Sequence, residues 1–93
     1  MKYMAWDPAK NEWLKATRGV GFEEVMDAVV EGRVLAVLGH KNFERHPNQR
    51  IIVVNIHDYA YIVPFVEDDE KVFLKTVYPS RKHTKRYIEK GGS

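Results

Sequence analysis

The sequence predicts an α+β domain: an N-terminal helical hairpin, a four-stranded, mainly antiparallel sheet and a short C-terminal helix. Three observations predict it. Residues 8–31 carry two stretches of helical periodicity separated by glycine. Residues 34–78 switch to short β-branched and aromatic runs divided by turn signals. The last of these runs passes directly into a short, very basic helical segment. The order ααββββα implies antiparallel strands with the helices packed on one face.

Each element has its own grounds. Asp7-Pro8 opens the first helix, with Asp as N-cap and Pro at the first helical position. That helix extends from Pro8 to Thr17 and offers Ala9, Trp13, Leu14 and Ala16 for packing. Arg18-Gly19 ends it, Gly19 serving as a left-handed cap. The second helix fits Phe22 to Glu31. Phe22, Val25, Met26, Val29 and Val30 form an apolar stripe, Glu23 and Glu24 suit the first turn, and Gly32 closes it. Trp6, Trp13 and Phe22 offer either a base-stacking platform or core packing, and their places at helix starts and on apolar stripes favour the core. Val34 to Leu38 is an apolar run too short for a helix. Gly39 to Gln49 is polar and irregular, with Pro47-Asn48 as a turn signal. Arg50 to Ile56 and Tyr59 to Val66 are strands joined by a tight hairpin at His57-Asp58. Pro64 argues for an edge position or a bulge. Glu67-Asp68-Asp69-Glu70 is an acidic hairpin tip, and Val72 to Tyr78 is the last strand.

With 93 residues, 44% apolar and 30% charged, the chain has enough material for a single folded domain over residues 1–90, followed by a frayed Gly91-Gly92-Ser93 tail. It has no cysteine, which excludes disulfides, thiol catalysis and cysteine-held zinc. No apolar leader or bilayer-length run is present, so the expected location is the cytoplasm. The net charge of +2 conceals an asymmetry. From Lys71 onward there are seven Lys or Arg and one acid, a net +6; residues 1–70 hold eight and twelve, a net −4. A basic end on a nearly neutral protein suits local binding of a polyanion.

The charge concentrates in Tyr78-Pro79-Ser80-Arg81-Lys82-His83-Thr84-Lys85-Arg86-Tyr87-Ile88. Ser80 is a good N-cap, and Thr84, Tyr87 and Ile88 share one helical face. Arg81, Lys82 and His83 then crowd the first turn, where the helix dipole disfavours cations. A cationic helix start is a candidate phosphate site, set against the plainer reading of a solvated basic tail.

Four motifs carry a family resemblance: Trp6-Asp7-Pro8-Ala9-Lys10-Asn11; Arg18-Gly19-Val20-Gly21-Phe22-Glu23-Glu24; Arg50 opening the second strand; and Ser80-Arg81-Lys82-His83-Thr84 before the terminal helix. In these the chain resembles the BrnT family of bacterial toxins, within the wider RelE/ParE-like group of toxin–antitoxin ribonucleases. It departs from the family pattern at Gly21, where Ser or Thr is usual, and at Thr76, near a usual strand Arg. Lys75 is the neighbouring cation.

The resemblance implies a RelE/ParE-like fold and metal-independent RNA cleavage by 2′-hydroxyl attack, inhibiting translation. It needs no cofactor. The implied partner is a cognate antitoxin with a ribbon-helix-helix part, with DNA bound only through that antitoxin and no membrane involved. Such chemistry needs a base, an acid, and cations for the phosphorane charge. Arg50, Arg81 and Lys82 are candidate phosphate clamps, and Tyr78 is a candidate proton donor or stacking residue. Arg50 has an equal alternative in a surface ion pair with Glu67 or a neighbour. Lys75, His83, Lys85, Arg86, His40 and Lys41 are candidate RNA contacts; His83 could also act as acid or base near neutral pH, a role the resemblance does not require, since the family commonly has Ala there. His40 and His46 lack a third ligand at useful spacing for metal, and His57 reads as a turn residue. A non-catalytic module of the same fold, binding antitoxin or nucleic acid, is the second reading.

Overall fold

A computed structural model describes residues 2–39 and 49–89. The expectations for His40, Lys41, His46 and the Gly91–Ser93 tail lie outside these residues. The class is α+β, in the order β1 (Tyr3–Ala5), α1 (Pro8–Arg18), α2 (Phe22–Val30), β2 (Val34–Gly39), β3 (Gln49–Ile56), β4 (Tyr59–Glu67), β5 (Lys71–Leu74), β6 (Tyr78–Pro79) and α3 (Arg81–Thr84). A π-helical turn over Lys85–Glu89 continues α3. No described helix is long and apolar enough to cross a membrane.

The helical hairpin forms as its caps predict. Asp7 accepts a hydrogen bond from the Ala9 N–H, and Gly19 sits in the left-handed region at φ 71°. Gly32, after α2, does the same at φ 77°.

The sheet differs from the four-stranded expectation. Its strands run in the order β1-β5-β4-β3-β2, with β6 also pairing to β4. Tyr3–Ala5 adds an unexpected strand, parallel to β5, so the sheet is mixed. Three residues are too few to show a period in sequence, and β5 alone holds them. The last strand is split. Pro64 lies within the central strand β4, opposite Ile51 of β3, and is neither at an edge nor on a bulge. Its carbonyl accepts from the Lys75 N–H, so the position without an N–H faces the last strand. The strand breaks there, between Leu74 and Tyr78. The bulge lies in β2, between Val34 and Ala36.

The helices do not share one face. Leu14, Phe22, Val25 and Ala28 of α1 and α2 pack with Val54, Ile56, Val63, Phe65 and Leu74. Val53, Ala60 and Ile62 point the other way and are covered by Tyr87 and Ile88 of the C-terminal segment. That segment therefore crosses to the opposite face, where alternation along β3 and β4 leaves a second apolar surface. Thr84 anchors it, donating to Ser80 O at 2.7 Å and accepting from the Ala60 N–H at 2.9 Å.

Of the three expected core aromatics, one is fully buried and one is half-buried against it. Phe22 is fully buried, and Trp6 stacks on it at 5.6 Å between centroids. Trp13 is not inside: it is 47% exposed. Helix α1 buries a stripe through Asn11 and Leu14, and residue 13 lies about 100° round the helix from Leu14. Ala9 and Ala16 are exposed for the same reason.

Candidate functional site

The basic C-terminal turn is built from its cap outward. Ser80 is tied to the sheet by its N–H, which donates to Ala60 O at 2.9 Å. Its hydroxyl accepts the His83 N–H at 3.2 Å and lies 2.7 Å from His83 Nδ1. One serine thus caps the turn and orients the imidazole. The His83 ring stacks on Tyr87 at 6.1 Å and an interplanar angle of 15°. Burial, then the adjacent Lys82 and Arg86 charges, hold its pKa below the usual 6.5. The ring therefore favours the neutral form near pH 7.

Arg81, Lys82, Lys85 and Arg86 are exposed on the same turn, and Lys82 and Arg86 are the two whose charges act on this ring. Arg86 lies 5.7 Å from the Tyr87 ring centre. Among the described residues none of the four has an acidic partner within ion-pair distance. Tyr78 is 40% exposed and pairs with Ile62, so it lies on the sheet face that the C-terminal segment covers. The regular α-helix here is a single turn, which leaves little macrodipole. The anion-attracting power of this segment therefore rests on its side chains.

Arg50 is not brought to this site. Its Nη1 lies 3.0 Å from Glu67 Oε1, while Glu67 Oε2 takes Lys2 Nζ at 3.0 Å. The hydrogen bonds and charges of Lys2 and Arg50 hold the Glu67 carboxyl below its ordinary value. Arg50 borders an apolar groove of about 270 Å³ lined by Val29, Val34, Ile52, Phe65 and Val72, on the α1–α2 face. It pairs with Phe65, whereas Ser80 bonds Ala60. Five residues of β4 separate them, about 16 Å, and the two lie on opposite faces. The ion pair weighed in sequence is the contact Arg50 makes. Lys75 is exposed in the gap between β5 and β6. Among the described residues no three His, Asp or Glu side chains converge.

Sequence reading missed the Ser80–His83 bond and the role of Asn11. The first was legible as Ser three residues before His at a cap. The second depends on where α2 begins in space, and no local pattern carries that.

Compared with protein-family models, with characterised proteins and with solved structures, the chain matches none.

Proposed function

We propose that this protein is a metal-independent endoribonuclease toxin of RelE/ParE-like type, acting at the Tyr78–Arg86 turn and restrained by a ribbon-helix-helix antitoxin in the cytoplasm. The observation that carries this reading is a neutral-leaning His83, oriented by Ser80, on a turn that also exposes Arg81, Lys82, Lys85 and Arg86. The motif resemblance at Ser80–Thr84 supports the same place.

In the proposed step the RNA 2′-oxygen attacks the adjacent phosphorus and the P–O5′ bond breaks. With Nδ1–H donating to Ser80, His83 Nε2 holds the lone pair that takes the 2′-hydroxyl proton. Arg81 and Lys82 neutralise the phosphorane charge. Tyr78 is the candidate donor to the departing 5′-oxygen. Arg50 takes no part, being engaged by Glu67.

The test is RNA cleavage by the purified protein in EDTA, with products ending in 2′,3′-cyclic phosphate and 5′-hydroxyl. His83→Ala should lower the rate by about 10²- to 10⁴-fold. Arg81→Ala should also lower it while leaving the melting temperature essentially unchanged, since the side chain is exposed and, among the described residues, has no acidic partner. Activity that chelation abolishes and magnesium restores would overturn the mechanism. Binding of RNA without cleavage favours the non-catalytic module, a reading to which the tied-up Arg50 already lends weight.

A further inference from the structure

Trp13 stands half in water on a helix whose buried side chains are Asn11 and Leu14. A lone exposed aromatic needs no explanation, but this one is flanked by cations. Lys10 Nζ lies 4.5 Å from the ring centroid and the Arg18 guanidinium carbon 5.3 Å. Arg18 also reaches across to the sheet, where its Nη1 donates to Val77 O at 2.6 Å. Val77 immediately precedes Tyr78, the first residue of the basic turn. One guanidinium therefore links the Trp13 ring to the segment that carries Arg81 and Lys82. The neighbouring acid, Glu12, is held by Lys15 at 3.0 Å and does not offset Lys10 or Arg18 by direct pairing.

We propose that Trp13, Lys10 and Arg18 form a stacking subsite for one base of a single-stranded RNA that continues to the Arg81–Lys82 turn. This rests on the RNA reading above and extends it to substrate positioning. An aromatic face accepts any base, and flanking cations take the phosphates on either side. An exposed cation–π contact is weak, so Lys10 and Arg18 exchange the ring for phosphate at small cost. Arg18 presents its remaining guanidinium N–H groups from a position fixed by the Val77 carbonyl. The four residues from Val77 to Arg81 span at most about 14 Å. With the Trp13–Arg18–Val77 leg added and the sheet edge to round, a strand of about six nucleotides, within the range of single-strand site sizes, engages both.

The probe is an RNA of about six nucleotides with 2′-O-methyl groups throughout, which binds but lacks the attacking hydroxyl. Its affinity is read by fluorescence anisotropy at several salt concentrations. Trp13→Ala should weaken binding roughly five- to a hundredfold, the loss expected for one stacked base. The slope of log K against log salt should not change. Lys10→Gln should instead flatten that slope by about 0.7, one phosphate contact on a single strand. Trp13→Phe should restore most of the affinity, and thermal melts confirm that each variant is folded. If Trp13→Ala binds within about twofold of the parent while Arg81→Ala does not, the subsite is wrong and the RNA reading stands. If Trp13-dependent binding occurs but unmodified RNA is never cut, the subsite stands and the ribonuclease reading falls. Tighter, Trp13-dependent capture of a polyglutamate peptide than of RNA would overturn the inference and assign the surface to an acidic protein.

Discussion

At Asn11 one carboxamide joins two helices. Its Oδ1 accepts the Phe22 N–H at 2.7 Å, and its Nδ2 donates to Glu23 at 2.8 Å. It does for α2 what an N-cap side chain does elsewhere, although it belongs to α1. This accounts for Gly21. A Cβ there would stand 2.7 Å from Asn11 Oδ1 and 2.8 Å from Lys15 Cγ, closer than real contacts allow. The usual Ser or Thr cap and Asn11 therefore compete for one space. Asn11→Ala should cost about 1–3 kcal/mol, because it leaves a buried N–H unpaired. Gly21→Ser should also destabilise the protein. Combining them should cost less than the two losses added, since the serine hydroxyl then has room to cap. Urea denaturation of the three variants measures this coupling; simple additivity would contradict it.

At the scale of elements, the β3–β4 hairpin is held in an unfavourable backbone conformation. His57 and Asp58 have φ of 55° and 63°, both in the left-handed region. That is the type I′ turn that matches strand twist, and Asn-Gly suits it best. The His57 contact with Glu24, 3.4 Å long and exposed, contributes little. The double change His57→Asn and Asp58→Gly should therefore stabilise the protein by about 0.5–1 kcal/mol, by relieving left-handed strain. The melting temperature should rise by a few degrees, about what that energy yields in a domain of this size. An unchanged or lower melting temperature would mean that the turn is not the strained point. Cleavage should be unaffected by this change if the basic turn acts alone.

For the whole molecule, two pH limbs follow from where the charges sit. The Glu23, Glu67 and Asp68 carboxyls are all held below their ordinary values of 4.5, 4.5 and 3.8. The causes, in order, are its own backbone N–H for Glu23, Lys2 for Glu67, and the Lys71 and Glu70 N–H groups for Asp68. Depressed carboxyls stabilise the fold above their unfolded pKa and stop doing so as pH falls through the folded values. Stability should thus decline mainly below about pH 4, after a smaller loss that begins below 6.5, where the unfolded chain protonates His83 and the fold does not. Cleavage should have a separate limb. The His83 pKa is lowered, so its neutral form persists to below 6.5 and the rate falls only as pH drops beneath that. Melting curves and rates across pH 3–8 separate the limbs. A rate that follows folded fraction alone would remove His83 from the mechanism.

The α+β class, the helical hairpin with its Asp7 and Gly19 caps, the His57-Asp58 turn and the basic C-terminal segment are determined by the sequence itself. Each rests on capping, periodicity or turn chemistry within a few residues, which the chain carries locally. The tertiary structure alone decided the rest. It added Tyr3–Ala5 as a parallel strand, because only β5 gives those residues partners. It broke the last strand opposite Pro64 and sent the C-terminal segment to the other sheet face, where Val53, Ala60 and Ile62 needed cover. It turned Trp13 outward and gave Arg50 to Glu67, far from Arg81. Those outcomes depend on which distant groups meet, and spacing along the chain does not record that.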